Sequence, residues 1–168
     1  MLVQFNTLPG TSRIWIYQSS KELTESDQNL IRNEIEPFIQ SWTAHQADLK
    51  AGFEILYNRF LIIAVDENHN DASGCSIDKK VNFVKQLGDK INSDFLNRLQ
   101  IAYLDKEILH VADMHTLINQ ISKGILGSDT LIFNNLISTI EEFRTAWKIP
   151  AGQSWLKQLF IIQEKNKI

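Results

Sequence analysis

Phe60-Leu-Ile-Ile-Ala-Val65, followed at once by Asp66-Glu-Asn-His69-Asn-Asp71-Ala-Ser73-Gly-Cys75-Ser-Ile-Asp78-Lys79-Lys80, sets a wholly apolar run against one rich in polar and reactive groups. The apolar run has no alternation, as expected of a central strand covered on both faces. The polar run holds the single cysteine of the chain, and a helix is expected to begin near Ser76. Ile77, Val81, Val84 and Ile91 would form the apolar face of that helix, with Gly88 as an early stop or a weak interior position.

Upstream, Phe53, Ile55 and Tyr57 alternate with Gly52, Glu54, Leu56 and Asn58, which reads as a half-exposed strand. Asn58-Arg59 is the expected hairpin, because Asn tolerates positive φ. Arg13-Ile-Trp-Ile-Tyr-Gln18 is dense in β-branched and aromatic residues and reads as a first strand, after a turn-rich lead-in over 1–12. Thr24 with Asp27 has the form of a capping box opening a helix whose face is Ile31, Ile35, Phe38 and Trp42. Pro37 predicts a kink in it, or a second short helix beginning there.

Downstream, Leu99, Ile101 and Tyr103 alternate as a fourth strand, and a turn at Asp105-Lys106 leads to a fifth over Ile108–Val111. Asp113 is placed to cap a short helix carrying Met114, Leu117, Ile118 and Ile121, closed by Gly124. Leu131–Phe133 fits either a short strand or the start of the next helix. Ser138 with Glu141 forms a further capping-box pattern ahead of Ile140, Phe143 and Trp147. Pro150-Ala-Gly152 breaks the chain before a last helix with Trp155, Leu159 and Ile162, and 164–168 reads as a frayed tail.

The order strand–helix–strand–strand–helix–strand predicts an α+β fold, specifically a ferredoxin-like split βαβ sandwich with an added edge strand and C-terminal helices. The expected organisation is one domain over 1–168, with an α+β core at 13–112 and a helical extension at 113–163. In that topology strands 13–18 and 60–66 lie side by side and parallel. The first helix would then end at the opposite end of the sheet from Asp66. His45 would lie more than about 10 Å from Cys75, outside the roughly 3 Å reach of a general base.

At 168 residues, 43% hydrophobic and 22% charged, the composition is that of a globular domain. One cysteine excludes an internal disulfide and a Cys-rich zinc module. The start, Met-Leu-Val-Gln-Phe-Asn, lacks a basic segment and an apolar segment, and no apolar run approaches the roughly 20 residues of a membrane helix, so a cytoplasmic location is expected. With a net charge of −3 and no basic stripe, nucleic acid is not a favoured partner.

Three chemistries compete for 66–80. Cys75 would sit near a helix N-terminus, where the dipole favours a thiolate; Lys79 and Lys80 would help, and His69 or His45 could serve as base. Asp78 opposes this, and a small residue packed under the helix explains Cys75 more plainly. Ser73-Gly74-Cys75-Ser76 could present N–H groups and hydroxyls to an anion, but Asp66, Glu67, Asp71 and Asp78 would repel one, and helix capping by Ser76 and Asp78 accounts for those residues. Asp66, Glu67, His69, Asp71, Cys75 and Asp78 are chemically suited to a metal, but lack ligand-motif spacing, so no metal is assigned. Elsewhere, His110 and His115 flank the fifth strand as isolated histidines. Trp42, Trp147 and Trp155 are expected to fill core, as is Trp15 in preference to a base-stacking platform.

Trp42-Thr-Ala-His45, Phe53-Glu54, Tyr57-Asn-Arg59-Phe60, Val65-Asp66-Glu67, Ser73-Gly-Cys-Ser-Ile-Asp78 and Ser154-Trp155 together resemble a family of small bacterial proteins commonly labelled "ABC transporter ATPase". The resemblance covers most of the chain, and Ser-Gly-Cys-Ser-Ile-Asp is its most specific part. It implies no catalytic residue or cofactor here. A P-loop requires G-x-x-x-x-G-K-[ST], and none of the seven glycines is followed by Lys-Ser or Lys-Thr, so ATP hydrolysis is rejected.

The function expected from the sequence is therefore a non-catalytic module. It would bind a partner protein or small ligand through Asp66, Glu67, His69, Ser73, Gly74, Cys75, Ser76 and Asp78. The alternative is a thiol enzyme using Cys75, with His69 as base.

Overall fold

The computed structural model describes residues 1–165, with side chains to residue 162. In chain order its elements are β1 (Arg13–Gln18), α1 (Glu25–Ser41), β2 (Thr43–Ala44), β3 (Ala47–Asp48), β4 (Ala51–Leu56), β5 (Phe60–Val65), α2 (Gly74–Ile91), β6 (Gln100–Asp105), β7 (Ile108–Asp113), α3 (Met114–Ser122), β8 (Leu131–Phe133), α4 (Ile140–Ala146), β9 (Lys148–Pro150) and α5 (Lys157–Lys165). The chain is α+β, and it divides into two compact units. One holds Met1–Asn97 and Asn135–Arg144; the other holds 98–134 and the chain from Thr145 onward.

The first unit is built on a three-stranded sheet in the order β1-β5-β4. All six residues of β5 are buried, as the unbroken apolar run requires. The pairing with β1 is nevertheless antiparallel, from Arg13 opposite Val65 to Gln18 opposite Phe60. The parallel pair, and with it the split βαβ arrangement, is corrected on this point. Continuous apolarity records cover on both faces, and an antiparallel sheet can be covered in that way too. Leu61, Ile63 and Val65 pack on Ile31, Ile35 and Ile39 of α1 and Val84, Leu87 and Ile91 of α2. Phe60, Ile62 and Ala64 face the other side, along with Gly52, the register partner of Ala64. There the lead-in passes so close that a Cβ on Gly52 would stand 2.8 Å from the Val3 carbonyl oxygen. Phe5 of the lead-in meets Phe143 of α4 edge to face, with centroids 5.8 Å apart.

The helix starts follow local chemistry. Thr24 and Asp27 form the expected capping box of α1, which runs through Pro37 as one helix rather than two. Ser73 caps α2, which begins at Gly74, earlier than expected, and passes through a buried Gly88 to Ile91. Its buried face is Ser76, Lys80, Val84, Leu87, Gly88 and Ile91, so the predicted contributions of Ile77 and Val81 are displaced by one position. The box ahead of α4 is also one residue on. The Thr139 hydroxyl accepts from Glu142 N–H and the Glu142 carboxylate accepts from Thr139 N–H, each at 3.2 Å. The β4–β5 turn puts Tyr57 and Asn58 at positive φ, so the loop is Tyr57–Arg59.

The second unit carries a four-stranded sheet in the order β7-β6-β8-β9. Lys106 and Glu107, both at positive φ, make the two-residue turn between β6 and β7. Asp113 caps α3 by accepting from Thr116 N–H at 2.7 Å, and Gly124 follows at φ +69°. Tyr103, Leu117, Ile121, Leu126, Ile132 and Leu156 form its core. Leu131–Phe133 is a strand, and the stretch 113–163, read from the sequence as a helical extension, supplies β8 and β9 besides helices. Trp147 is buried, but Trp155 precedes α5 and is 46% exposed, a correction to its expected core role. Of the expected tail at 164–168, residues 166–168 lie outside the described residues. Among the described residues no helix is long and apolar enough to cross a membrane.

Candidate functional site at the strand-to-helix junction

The segment 66–80 leaves β5 and turns into α2, and its polar side chains divide into two groups. Asp66 is the anchor of the first. Its carboxylate is almost fully buried and takes a 3.1 Å ion pair from Lys50 Nζ and a 3.2 Å bond from Asn68 N–H. The second contact is an Asx turn, the local bond by which Asp and Asn side chains replace a backbone partner. Burial works to raise the Asp66 carboxyl, but the hydrogen bonds from Lys50 and Asn68 and the Lys50 charge outweigh it and hold the group below its ordinary value.

The loop is then tied down at successive points. Glu67 pairs with Arg13 of β1 at 3.4 Å and accepts from Ala72 N–H at 3.4 Å. Asn68 donates to the Thr11 hydroxyl at 3.0 Å, and Asn70 donates to the Asp48 carbonyl at 3.0 Å. Ser73 accepts from Ser76 N–H at 3.3 Å while the Ser76 hydroxyl donates to the Ser73 carbonyl at 2.7 Å. Asp66, Glu67, Ser73 and Ser76 are therefore occupied in holding the loop and opening the helix. His69, Asp71, Gly74, Cys75, Asp78 and Lys79 are exposed.

Cys75 is the second residue of α2 and is exposed, not packed beneath it. Asp78 lies beyond the first turn, which holds no acidic residue. Among the described residues, no group of three or more His, Cys, Asp and Glu side chains is arranged to hold a metal ion.

The expected separation of His45 from this segment loses its basis. With β1 and β5 antiparallel, α1 ends at the same end of the sheet as Asp66. The Trp42 indole N–H donates to the Ser76 carbonyl at 2.9 Å, docking the end of α1 on the first turn of α2. His45 and Gln46, both at positive φ, form the turn between β2 and β3, and Asn70 bonds to the last residue of that hairpin.

Several contacts of this neighbourhood carried no signal in the sequence, and Lys80, read there as an aid to a Cys75 thiolate, is turned into the core while Cys75 is exposed. Lys80 is fully buried, with its ammonium 3.3 Å from the centroid of the Trp15 ring and 5.5 Å from that of Tyr17. The Arg13 guanidinium lies 4.9 Å from the same Trp15 ring. Trp15 neighbours Trp42 at 6.2 Å, and Phe38 stacks on Phe83 at 4.2 Å. Lys50 is separated by 16 residues from its partner Asp66. The Asx turn was the one local clue available, since an Asp followed by a turn-forming Asn is its usual setting.

No protein-family model, curated protein or solved structure matches the chain.

Proposed function

We propose that this chain is a cytoplasmic binding module that takes a partner protein or small ligand on the 66–80 junction without catalysing a reaction. The observation that supports this is the division of labour within the loop. Asp66, Glu67, Asn68 and Asn70 hold its shape, leaving His69, Asp71, Cys75, Asp78 and Lys79 facing outward. A surface fixed before binding loses less conformational entropy when its partner arrives, which is how a small polar surface gains affinity. ATP hydrolysis has no part in the proposal, because the sequence contains no P-loop.

The single cysteine supplies the test. A photo-crosslinker attached to Cys75 is compared with one attached at Lys85→Cys in a Cys75→Ser background, each in an extract of the source cell. A saturable adduct from the Cys75 probe is expected, competed by unlabelled protein and missing from the other probe. Identical adducts from both positions, or none, would refute the reading.

The exposure of Cys75 at the start of α2 favours a second reading, a thiol enzyme. Alkylation by iodoacetamide separates the two. A rate at neutral pH well above that of glutathione supports a thiol enzyme, and an equal or lower rate removes it.

A further inference from the structure

We infer that two copies of this chain associate through β7, pairing antiparallel about a twofold axis at Val111 to join their four-stranded sheets. β7 is an outer strand in the order β7-β6-β8-β9. Its register against β6 runs without a bulge from Gln100 opposite Asp113 to Asp105 opposite Ile108. A two-residue hairpin makes its closing pair, Asp105 and Ile108, a hydrogen-bonded one, and bonding then alternates along the ladder. Leu109 and Val111 consequently turn their N–H and C=O groups away from β6, and Asp113 turns its N–H the same way while its carbonyl closes the first turn of α3. Among the described residues no strand pairs with that side.

The other edges are managed differently. β9 is three residues long and carries Lys148 and Pro150. β1 is bridged at Arg13 by Thr139, and β4 at Ala51 by Leu2. β7 is six residues long and has neither Pro nor Lys, the usual means of blocking strand addition.

The choice of a second copy rests on self-complementarity. A twofold axis at Val111 sets Val111 opposite itself, a favourable β-branched pair that exchanges both bonds, and Leu109 opposite Asp113, whose N–H meets the Leu109 carbonyl. The same register brings Ile108, 63% exposed, to the point where Met114 of the second copy, 40% exposed, begins α3. A register centred on His110 would instead place Glu107 opposite Asp113 of the second copy, setting two carboxylates against each other.

Sedimentation equilibrium of the full chain, read with two variants, tests this. The wild type is expected to double in mass as concentration rises. Val111→Pro, which removes a donor the β6 ladder does not use, is expected to stay monomeric with an unchanged far-UV spectrum. Should that variant unfold, Val111→Cys in a Cys75→Ser background serves instead, and an added oxidant should give a covalent dimer through position 111. A wild type that remains monomeric at its highest soluble concentration would overturn the inference. So would a folded Val111→Pro dimer, or an oxidised Val111→Cys that links no better than Lys85→Cys in the same background. Binding of an unrelated strand at β7 without self-association would overturn it as well.

Discussion

Replacing Asp66 with Asn keeps the shape of the side chain and its ability to accept from Asn68 N–H, but removes the charge that pairs with Lys50. The side chains are 8% and 32% exposed, so the pair lies between two well-characterised limits. Exposed ion pairs contribute about 0–1 kcal/mol, and breaking a fully buried one costs about 3–5 kcal/mol. Lys50 keeps access to water after the substitution, which moves the expected cost toward the lower limit, at about 1–2 kcal/mol. This is a factor of roughly 5–30 in an equilibrium constant. Native-state hydrogen exchange is the appropriate assay, because the pair holds one loop; the amides of 68–72 should exchange faster by that factor in Asp66→Asn. The pH dependence is fixed in sign. The folded-state carboxyl titrates below its ordinary value of 3.8, so its contribution is complete at neutral pH and fades as pH falls through the folded-state value. The wild type and the variant should converge under acid. Equal exchange at neutral pH, or a difference that persists after the carboxyl is protonated, would refute the assignment of Asp66 as the anchor of the loop.

Further outcomes are expected at sites away from the ion pair. Gly52→Ala would force the lead-in off β4, because the new Cβ would meet the Val3 carbonyl oxygen at 2.8 Å and Phe5 Cα at 3.1 Å. A loss of about 1–3 kcal/mol by urea titration is expected, with faster proteolysis before residue 8. Trp42→Phe leaves the Ser76 carbonyl without its indole donor and should cost about 1–3 kcal/mol in the same titration, with exchange rising at the start of α2. Thr139→Ala removes the side-chain cap of α4 and should cost about 1 kcal/mol. Ser138→Ala, which keeps the backbone N–H bond to Glu142, should cost less.

How far the sequence could be read depended on whether the deciding interaction was local. β5, the caps at Thr24 and Asp113, and the helix closure at Gly124 were legible, because each depends on residues within a turn of one another. Strand direction was not legible. The apolar run of β5 shows that both faces are covered but not by what, and here the lead-in, distant in sequence, lies against Gly52, the register partner of Ala64. That error carried through to the placement of His45, since the end at which α1 stops depends on whether β1 and β5 run the same way. The polar segment 66–80 was legible as the junction between β5 and α2. Its internal roles were hidden, because Arg13, Lys50, Thr11 and Asp48 reach it from other parts of the chain.

Lys80 shows why residue type alone misplaces a helix face. Ser76, Lys80, Val84 and Leu87 follow a helical spacing, yet a scan for apolar residues passes over the first two and selects Ile77 and Val81. A lysine can occupy a core-facing position when its four-carbon stem packs as an aliphatic chain and its ammonium meets an aromatic face. Trp15 and Tyr17 provide that face from β1. A desolvated cation–π contact is worth about 2 kcal/mol, so the pairing offsets part of the cost of burying the charge. Trp15 also carries Arg13, which reaches on to Glu67 and, through its carboxylate, to Ala72 N–H. One indole thus links the buried face of α2 to the loop that precedes it. On the binding reading, the stiffness of the junction comes from this buried side as much as from the loop. A substitution at Trp15 should then loosen residues 67–72 although it touches none of the exposed groups.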